Sequence, residues 1–214
     1  ETYLEEEFAS STVTSHSGPV VSESVERQRG NTLILVGQKD ATPTPGEYSV
    51  FQEAAEYYQS QHGGIIAHVH NGEHALRVMA QYGQNGGIDH LVYFGHGSAS
   101  AMEMSMSYGY NSMYTDEAID RMVDMSIADS RFQLPKLYSA RIGRIDPTWF
   151  NENATIEMRG CNMGQKFAQS LANHVGRGVT VWGSTTGTKV RFLKNGAIVQ
   201  TPKNESNWRS FRPK

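Results

Sequence analysis

The sequence predicts an α/β fold built on a mostly parallel sheet. Three short apolar runs, at residues 32–37, 65–70 and 88–94, have the character of strands, and a segment with helical spacing follows each of the first two. This alternation of strand and helix is typical of parallel sheets with right-handed crossovers. A chain of 214 residues is also long enough for one domain with a sizeable core.

Each element of this alternation has its own local signal. Residues 32–37 form the continuous apolar run of a buried parallel strand. Apolar side chains recur at helical spacing over residues 50–59, and the glycines at 63 and 64 end that helix. Asn71 is a suitable N-cap for a second helix, which we expect to extend through Tyr82.

The second half of the chain is less regular. Residues 101–107 alternate methionine with polar residues, as a half-buried strand does, and Thr115 or Asp116 caps a predicted helix that ends at residue 125. Residues 131–144 carry no clear signal. The remaining elements are a strand, a helix, a strand and a hairpin with an Asn-Gly turn, at residues 155–158, 165–175, 179–182 and 189–200.

We expect the two ends of the chain to lie outside the domain, which spans residues 31–201. Residues 1–30 are rich in Ser, Thr, Val and Glu without periodicity and are interpreted as an extended arm or linker, with one edge strand around Val20. Residues 202–214 are expected to form a loose C-terminal tail. Because the chain begins at Glu1 and not at methionine, we expect it to be excised or processed from a longer protein.

The composition argues against two classes of function. A net charge of −3 and a pI near 6.3 do not favour a nucleic-acid binder that works through phosphate contacts. No apolar run approaches the roughly 20 residues that a membrane-spanning helix needs. The acidic start of the chain also lacks the apolar core of a signal peptide.

Two strand ends carry reactive side chains beside glycine. Cys161, the only cysteine, follows a predicted strand and precedes a predicted helix, whose dipole favours a thiolate at that place. His96 follows the strand at residues 88–94 and lies between Gly95 and Gly97. If these two strands are parallel neighbours, both side chains emerge at the same sheet edge, where open α/β folds place their sites.

This pair has the residue types of acyl-transfer chemistry. Cys161 would attack a carbonyl carbon and His96 would move the proton, with no metal or other cofactor required. The adjacent glycines let a substrate backbone come close and let N–H groups point at an oxyanion. A buried structural cysteine and a backbone-satisfied histidine are the simpler alternatives when each residue is taken singly. The two motifs together favour a catalytic pair.

Other constellations are weaker. His68, His70 and His74 with Glu73 could hold a metal, but a strand and a helix divide the set, so a solvated helix start is favoured. The polar loop at residues 183–187 lacks the Lys-Ser/Thr ending of a phosphate-binding loop. The sequence also has no Gly-x-Ser-x-Gly elbow of the kind that serine hydrolases use.

The His-Gly and Gly-Cys strand ends resemble those of the caspase-like cysteine peptidases, which include caspases, gingipains, clostripain, legumain and separase. The segment at residues 159–164, with the helix and strand after it, is similar to the bacterial caspase-like and CHAT domains. The resemblance covers residues 31–200, although only the two short motifs are diagnostic. It implies a three-layer α/β/α sandwich with a mostly parallel sheet of about six strands.

The resemblance also implies roles for individual residues. His96 matches the base and Cys161 the nucleophile, and the N–H groups of Gly97 and Cys161 would hold the oxyanion. The substrate would be a protein or peptide, whose residue before the cleaved bond enters a pocket built by loops after the first, fourth and fifth strands. Those loops offer charges of both signs and several hydroxyls: Lys39, Asp40, Ser184, Thr185, Thr186 and Lys189. We favour a basic residue in this pocket, because Asp40 can pair an arginine bidentately.

Three functions remain open on the sequence alone. The first is a cysteine endopeptidase, as a processing or effector domain of a larger bacterial protein. The second is a catalytically inactive caspase-like module for binding or scaffolding, which the presence of both His96 and Cys161 makes less favoured. The third is a flavodoxin-like domain that grips a small ligand through residues 98–107 or 183–187.

Overall fold

The computed structural model describes residues 31–37, 49–104, 112–129 and 139–214. In this part of the chain, four helices and a mostly parallel six-stranded sheet form a mixed α/β fold. The helices are α1 (Ser49–His62), α2 (Gly72–Gln84), α3 (Asp116–Ala128) and α4 (Phe167–Val175).

The described part of the chain contains twelve strands. They are β1 (Thr32–Gly37), β2 (Ile65–Val69), β3 (Ile88–Phe94), β4 (His96–Gly97), β5 (Ala101–Glu103), β6 (Met113–Tyr114), β7 (Ala140–Arg141), β8 (Phe150–Met158), β9 (Thr180–Ser184), β10 (Thr188–Phe192), β11 (Ile198–Pro202) and β12 (Trp208–Phe211). The main sheet has the order β12-β9-β8-β3-β1-β2. Within it, only the contact of β12 with β9 is antiparallel.

The predicted alternation of strands and helices is confirmed in the first half of the chain. Strands β1 and β3 have the predicted bounds, and α1 and α2 extend a few residues beyond theirs. Asn71 caps α2 as expected, since its side-chain oxygen accepts a hydrogen bond of 2.8 Å from the backbone N–H of His74. Local capping and apolar periodicity therefore set these elements.

The main sheet is buried on both faces, which explains the continuous apolar run of β1. Leu33 and Leu35 belong to a core cluster that includes residues of α2 and α4. Ile34 and Val36 belong to a second cluster, with residues of α1. Because successive side chains of a strand point to opposite faces, the two clusters lie on opposite sides of the sheet.

A small second sheet and a hairpin flank the main sheet. Strands β4, β5, β6 and β7 form the second sheet, in that order. Met102 and Met104 from the methionine-rich segment are buried in the main core, while residues 105–111 lie outside the described residues. Strands β10 and β11 form the predicted hairpin, and Gly196 in its turn has a φ of +82°, which favours glycine.

The prediction of a loose tail at residues 202–214 is wrong. Residues 208–211 form β12, which pairs antiparallel with β9, and the ring of Trp208 stacks on Trp182 at 6.4 Å. Strand β9 would otherwise be left as an edge, and β12 covers it. A four-residue strand between polar residues carries too little periodicity to be recognised in the sequence.

Strand β8 also begins earlier than predicted, at Phe150 in place of residue 155. Its register with β3 shifts between Ile88 and His90, and Asn153 has a φ of +62°. This irregularity interrupts the alternation of apolar and polar residues that the prediction relied on.

Several predictions fall on segments that the structure does not describe. These include the arm at residues 1–30 with its edge strand at Val20 and the loop that holds Lys39 and Asp40. Of the segment at residues 131–144, which carries no clear signal, residues 131–138 also lie outside the described residues. Among the helices that are described, none has the length and apolar character needed to cross a membrane.

Candidate active site

The histidine and cysteine motifs leave the main sheet side by side. Strands β3 and β8 are parallel neighbours, with Tyr93 opposite Met158, and the N–H of Arg159 donates to the Tyr93 carbonyl at 3.0 Å. His96 and Cys161 each follow this matched pair by three residues. A methyl group added to Gly97 would lie 3.2 Å from the Cys161 carbonyl oxygen, so the two segments lie close together.

The close approach of these segments depends on glycine. A Cβ at Gly97 would lie 2.5 Å from Cγ of Met163, and a Cβ at Gly160 would lie 3.0 Å from Cα of Gly97. At Gly95 a Cβ would overlap the ring of Tyr93. The glycines that flank His96 and Cys161 therefore have a structural role, because they let two backbones approach closely.

His96 belongs to the second sheet and contacts α1. It is half-buried, and in β4 it pairs with Glu103 of β5. Its imidazole meets the ring of Phe51 from α1 edge to face, with ring centroids 5.0 Å apart and an interplanar angle of 86°. This contact helps to fix the orientation of the imidazole.

The Tyr93 side chain links β4, which carries His96, to β5. Its hydroxyl lies 3.0 Å from the His96 carbonyl oxygen and 2.6 Å from the Glu103 carbonyl oxygen, and it can donate its proton to either. Burial, with a smaller contribution from the charge of Glu103, raises the pKa of Tyr93 well above its ordinary value. The hydroxyl therefore keeps its proton and remains a donor at neutral pH.

The sulfur of Cys161 takes its hydrogen bonds from β10. The backbone N–H of Thr188 donates to Sγ at 3.2 Å, and the Thr188 hydroxyl lies 3.3 Å from the same atom. Cys161 is partly exposed, as an accessible nucleophile must be. The expectation that Cys161 lies directly against the start of a helix is wrong, because residues 161–166 form turns before α4 begins at Phe167.

The loop after β9 forms a wall beside this cysteine and is fixed on two sides. Toward Cys161, the N–H of Asn162 donates to the Thr186 carbonyl at 2.9 Å. On the other side, Asn207 accepts from the N–H of Thr185 at 2.9 Å and donates to the Thr186 hydroxyl at 3.1 Å. These hydrogen bonds therefore hold the loop in place beside Cys161.

The predicted substrate contacts of this loop need revision at one position. Ser184 is 0% exposed, and its hydroxyl accepts from the N–H of Thr186 at 3.3 Å, so it shapes the loop and has no surface for a substrate. Thr185 and Thr186 are partly exposed and remain candidates. Asp40, the predicted partner of a basic residue, lies outside the described residues, and that preference stays a prediction.

The pairing of β4 with β5 sets the direction of one of the two N–H groups assigned to the oxyanion, that of Gly97. The N–H of Ser98 donates to the Ala101 carbonyl at 3.0 Å. Bonded and non-bonded pairs alternate along an antiparallel ladder, so Gly97 and Met102 form a non-bonded pair and the N–H of Gly97 points away from β5. For the N–H of Cys161, the described part of the chain provides no backbone acceptor.

A partly buried charge network involves the strand that precedes Cys161. The Glu157 carboxylate accepts from Arg159 at 2.5 Å and from His90 at 3.1 Å. The guanidinium of Arg159 lies over three aromatic rings at 5.5–5.6 Å, those of Tyr58, Phe94 and Trp208. The arrangement joins α1, β3, β8 and β12 on one face of the sheet.

Charge compensation sets the ionisation of this network. Burial alone would raise the pKa of Glu157, but the hydrogen bond from His90 and the positive charge of Arg159 outweigh burial and lower that pKa to about 2. Burial and the charge of Glu157 raise the pKa of Tyr58. The sequence carries one signal for the network, because Glu157 and Arg159 alternate with the buried Ile156 and Met158 at the end of a central strand.

Two further residues, Thr188 and Gln200, lie next to the candidate pair. We expect residues 183–188 to form a wall of the cleft, which includes Thr188, but sequence reasoning missed Gln200 and the contact of Thr188 with the sulfur. The side-chain amide of Gln200 donates to the Gly95 carbonyl and to the Thr188 hydroxyl, both at 3.1 Å. Gln200 is buried in β11. Only the docking of the hairpin against the main sheet brings these residues to the site, and no local pattern encodes that.

The histidine cluster does not form a metal site in the described part of the chain. The rings of His70 and His74 stack at 5.2 Å with an interplanar angle of 12°. Burial, followed by the charge of His70, lowers the pKa of both His68 and His74. No group of three His, Cys, Asp or Glu side chains among the described residues has an arrangement that would hold a metal ion.

Comparisons with protein-family models, curated proteins and solved structures found no match to this chain. The candidate site therefore rests on the geometry of Cys161, His96 and their neighbours.

Proposed function

We propose that this protein is a cysteine peptidase of the caspase-like kind, with Cys161 as the nucleophile and His96 as the general base. The observation that carries the proposal is the close approach of the two glycine-flanked segments beyond β3 and β8, where a Cβ added to Gly97 would lie 3.2 Å from the Cys161 carbonyl oxygen. The main sheet, with core clusters on both faces, is compatible with the three-layer arrangement of that family. The substrate is a protein or peptide.

The proposed reaction has two acyl-transfer steps. His96 takes the thiol proton while Sγ of Cys161 attacks the peptide carbonyl carbon, and the N–H groups of Gly97 and Cys161 stabilise the oxyanion. The C–N bond then breaks, and His96 returns the proton to the leaving amine. Water, deprotonated by His96, hydrolyses the resulting thioester and regenerates the thiol. These steps use protein groups and water alone.

Alkylation by iodoacetamide at neutral pH tests the reactive pair. We expect rapid labelling of Cys161, and His96→Ala should slow it by roughly tenfold or more, since an unactivated thiol is only a few per cent thiolate at pH 7. His62→Ala is the matched control, because His62 is exposed at the end of α1. Slow labelling of the unaltered protein, with no effect of His96→Ala, would favour an inactive scaffold.

A flavodoxin-like ligand-binding domain is the second candidate, because the strand order supports it. The order β2-β1-β3-β8-β9 has its switch point between β1 and β3, where such folds bind ligands. However, a Cβ at Gly37 would lie 2.7 Å from the Tyr93 hydroxyl oxygen, so Tyr93 fills one side of this crevice. Thermal unfolding with flavin mononucleotide separates the candidates. We expect no shift, and a concentration-dependent rise in melting temperature would favour the second.

A further inference from the structure

The orientation of the Gln200 amide follows from its partners. The Gly95 carbonyl oxygen can only accept a hydrogen bond, so the atom that faces it at 3.1 Å must be the nitrogen of Gln200. The same nitrogen lies 3.1 Å from the Thr188 hydroxyl oxygen. An amide nitrogen carries two protons, one for each acceptor, so the Thr188 oxygen accepts from Gln200.

This orientation determines where the proton of the Thr188 hydroxyl goes. Because its oxygen already accepts from Gln200, its single proton is available for the other neighbour, Sγ of Cys161 at 3.3 Å. The backbone N–H of Thr188 donates to the same sulfur at 3.2 Å. One residue therefore directs two donors at the sulfur, and donors of this kind stabilise negative charge.

We infer that Thr188 is a further site residue that stabilises the thiolate of Cys161, and that Gln200 is the positioning residue that orients the Thr188 hydroxyl toward the sulfur. The role in catalysis rests on the proposed peptidase function, whereas the effect on the sulfur does not. The proton stays with Thr188 throughout, and no covalent step is added to the reaction.

The placement of Gln200 supports this role. It is 3% exposed, and the oxygen of its side-chain amide has no hydrogen-bond partner among the described residues. An unpaired buried acceptor costs stability, so Gln200 is not explained by stability alone. Its nitrogen links the carbonyl of Gly95, next to His96, with the residue that contacts the nucleophile. The hairpin of β10 and β11 thus connects both halves of the site.

Substitutions at Thr188 test the contribution of the hydroxyl separately from that of the backbone N–H. Thr188→Val keeps the shape and the backbone N–H but removes the hydroxyl, whereas Thr188→Ser keeps both donors. The matched control is Thr201→Val, which makes the same change in the neighbouring residue of Gln200, at a hydroxyl with no partner among the described residues. Gln200→Met removes the amide that orients the hydroxyl.

The measurements are the far-ultraviolet thiolate absorbance and the rate of iodoacetamide labelling at neutral pH. We expect Thr188→Val to slow labelling by roughly tenfold, the effect of one hydrogen bond to a charged group, and to lower the thiolate absorbance. Thr188→Ser should restore both, Thr201→Val should leave both unchanged, and Gln200→Met should lower both by less than Thr188→Val does.

The outcomes distinguish this inference from the proposed function. Labelling of Thr188→Val at the rate of the unaltered protein would overturn the inference and leave the Cys161–His96 pair standing. If Thr188→Val does not fold, Gln200→Met and Thr188→Ser provide the test. A Gln200→Met protein that is labelled at the rate of the unaltered protein also overturns the inference. Peptide hydrolysis measured in parallel reports on the peptidase proposal separately.

Discussion

Glycines at positions 95, 97 and 160 determine how closely the histidine and cysteine segments approach each other. Each would clash with Tyr93, Met163 or the opposite backbone if it carried a side chain. Met163 is fully buried and fills the space beside Gly97 and Gly160. At the scale of residues, the site therefore depends on small residues that face large buried ones.

Tyr93→Phe tests the contribution of the hydroxyl between β4 and β5. The ring and its packing remain, but two part-buried carbonyl groups lose their shared donor, so we expect a loss of about 1–3 kcal/mol in the free energy of unfolding. Urea unfolding measures this loss. Tyr57→Phe on α1 is the control, and an equal effect of both substitutions would contradict the assigned role.

The Glu157–Arg159 pair makes a prediction about acid stability. The folded-state pKa of Glu157 is about 2, below the value of 4.5 expected in the unfolded chain. The unfolded state therefore binds more protons between these values, and the stabilisation is fully present above pH 4.5 and lost as the pH falls toward 2. The full contribution is roughly 3 kcal/mol as an order of magnitude.

Urea unfolding at about pH 6 and about pH 3 measures this dependence. We expect Glu157→Gln to be less stable than the unaltered protein at the higher pH and to lose less stability on acidification. Glu152→Gln, at an exposed position of the same strand, is the control. An acid dependence that Glu157→Gln leaves unchanged would contradict the assigned pair.

At the scale of elements, the segment at residues 188–211, which holds β10, β11 and β12, completes the candidate site. The β10–β11 hairpin brings Thr188 to Cys161, and β12 covers β9 and places Trp208 against Arg159. Residues far along the chain therefore support a cysteine that precedes them. Removal of this segment would expose both the edge of the sheet and the charge network.

Trp208→Ala tests the role of β12. It removes the stack on Trp182 and the contact with the Arg159 guanidinium, and contacts of these two kinds together contribute about 1–2 kcal/mol. We expect a matching fall in the free energy of unfolding. Phe192→Ala is the control, because Phe192 is 75% exposed and should change stability by less than about 0.5 kcal/mol. Equal losses from both variants would contradict a structural role for β12.

The elements also show which features the sequence can predict. Strands β1 and β3, the N-cap at Asn71 and the Asn-Gly hairpin depend on local signals, and the structure confirms them. Strand β12 and the contacts of Thr188 and Gln200 depend on pairings between segments distant in the chain, which local patterns do not encode. The same reason explains why Ser184 was predicted as a substrate contact although the fold buries it.

At the scale of the whole molecule, the strand order brings the parts of the site together. Strands β3 and β8 lie in the middle of the main sheet, so elements on both sides contribute to the edge where they end. The contributors are α1 through Phe51, the second sheet through Glu103 and the hairpin through Thr188. A site assembled from this many elements requires the complete fold.

Digestion of a peptide library tests the proposed peptidase function most directly. The unaltered protein, Cys161→Ala and His96→Ala are compared at equal concentration, with circular dichroism to verify that each is folded. We expect new peptide termini with the unaltered protein, none with Cys161→Ala, and a rate lower by roughly 100-fold or more with His96→Ala. Cleavage that persists unchanged in folded Cys161→Ala, or no cleavage by the unaltered protein, would contradict the proposed function.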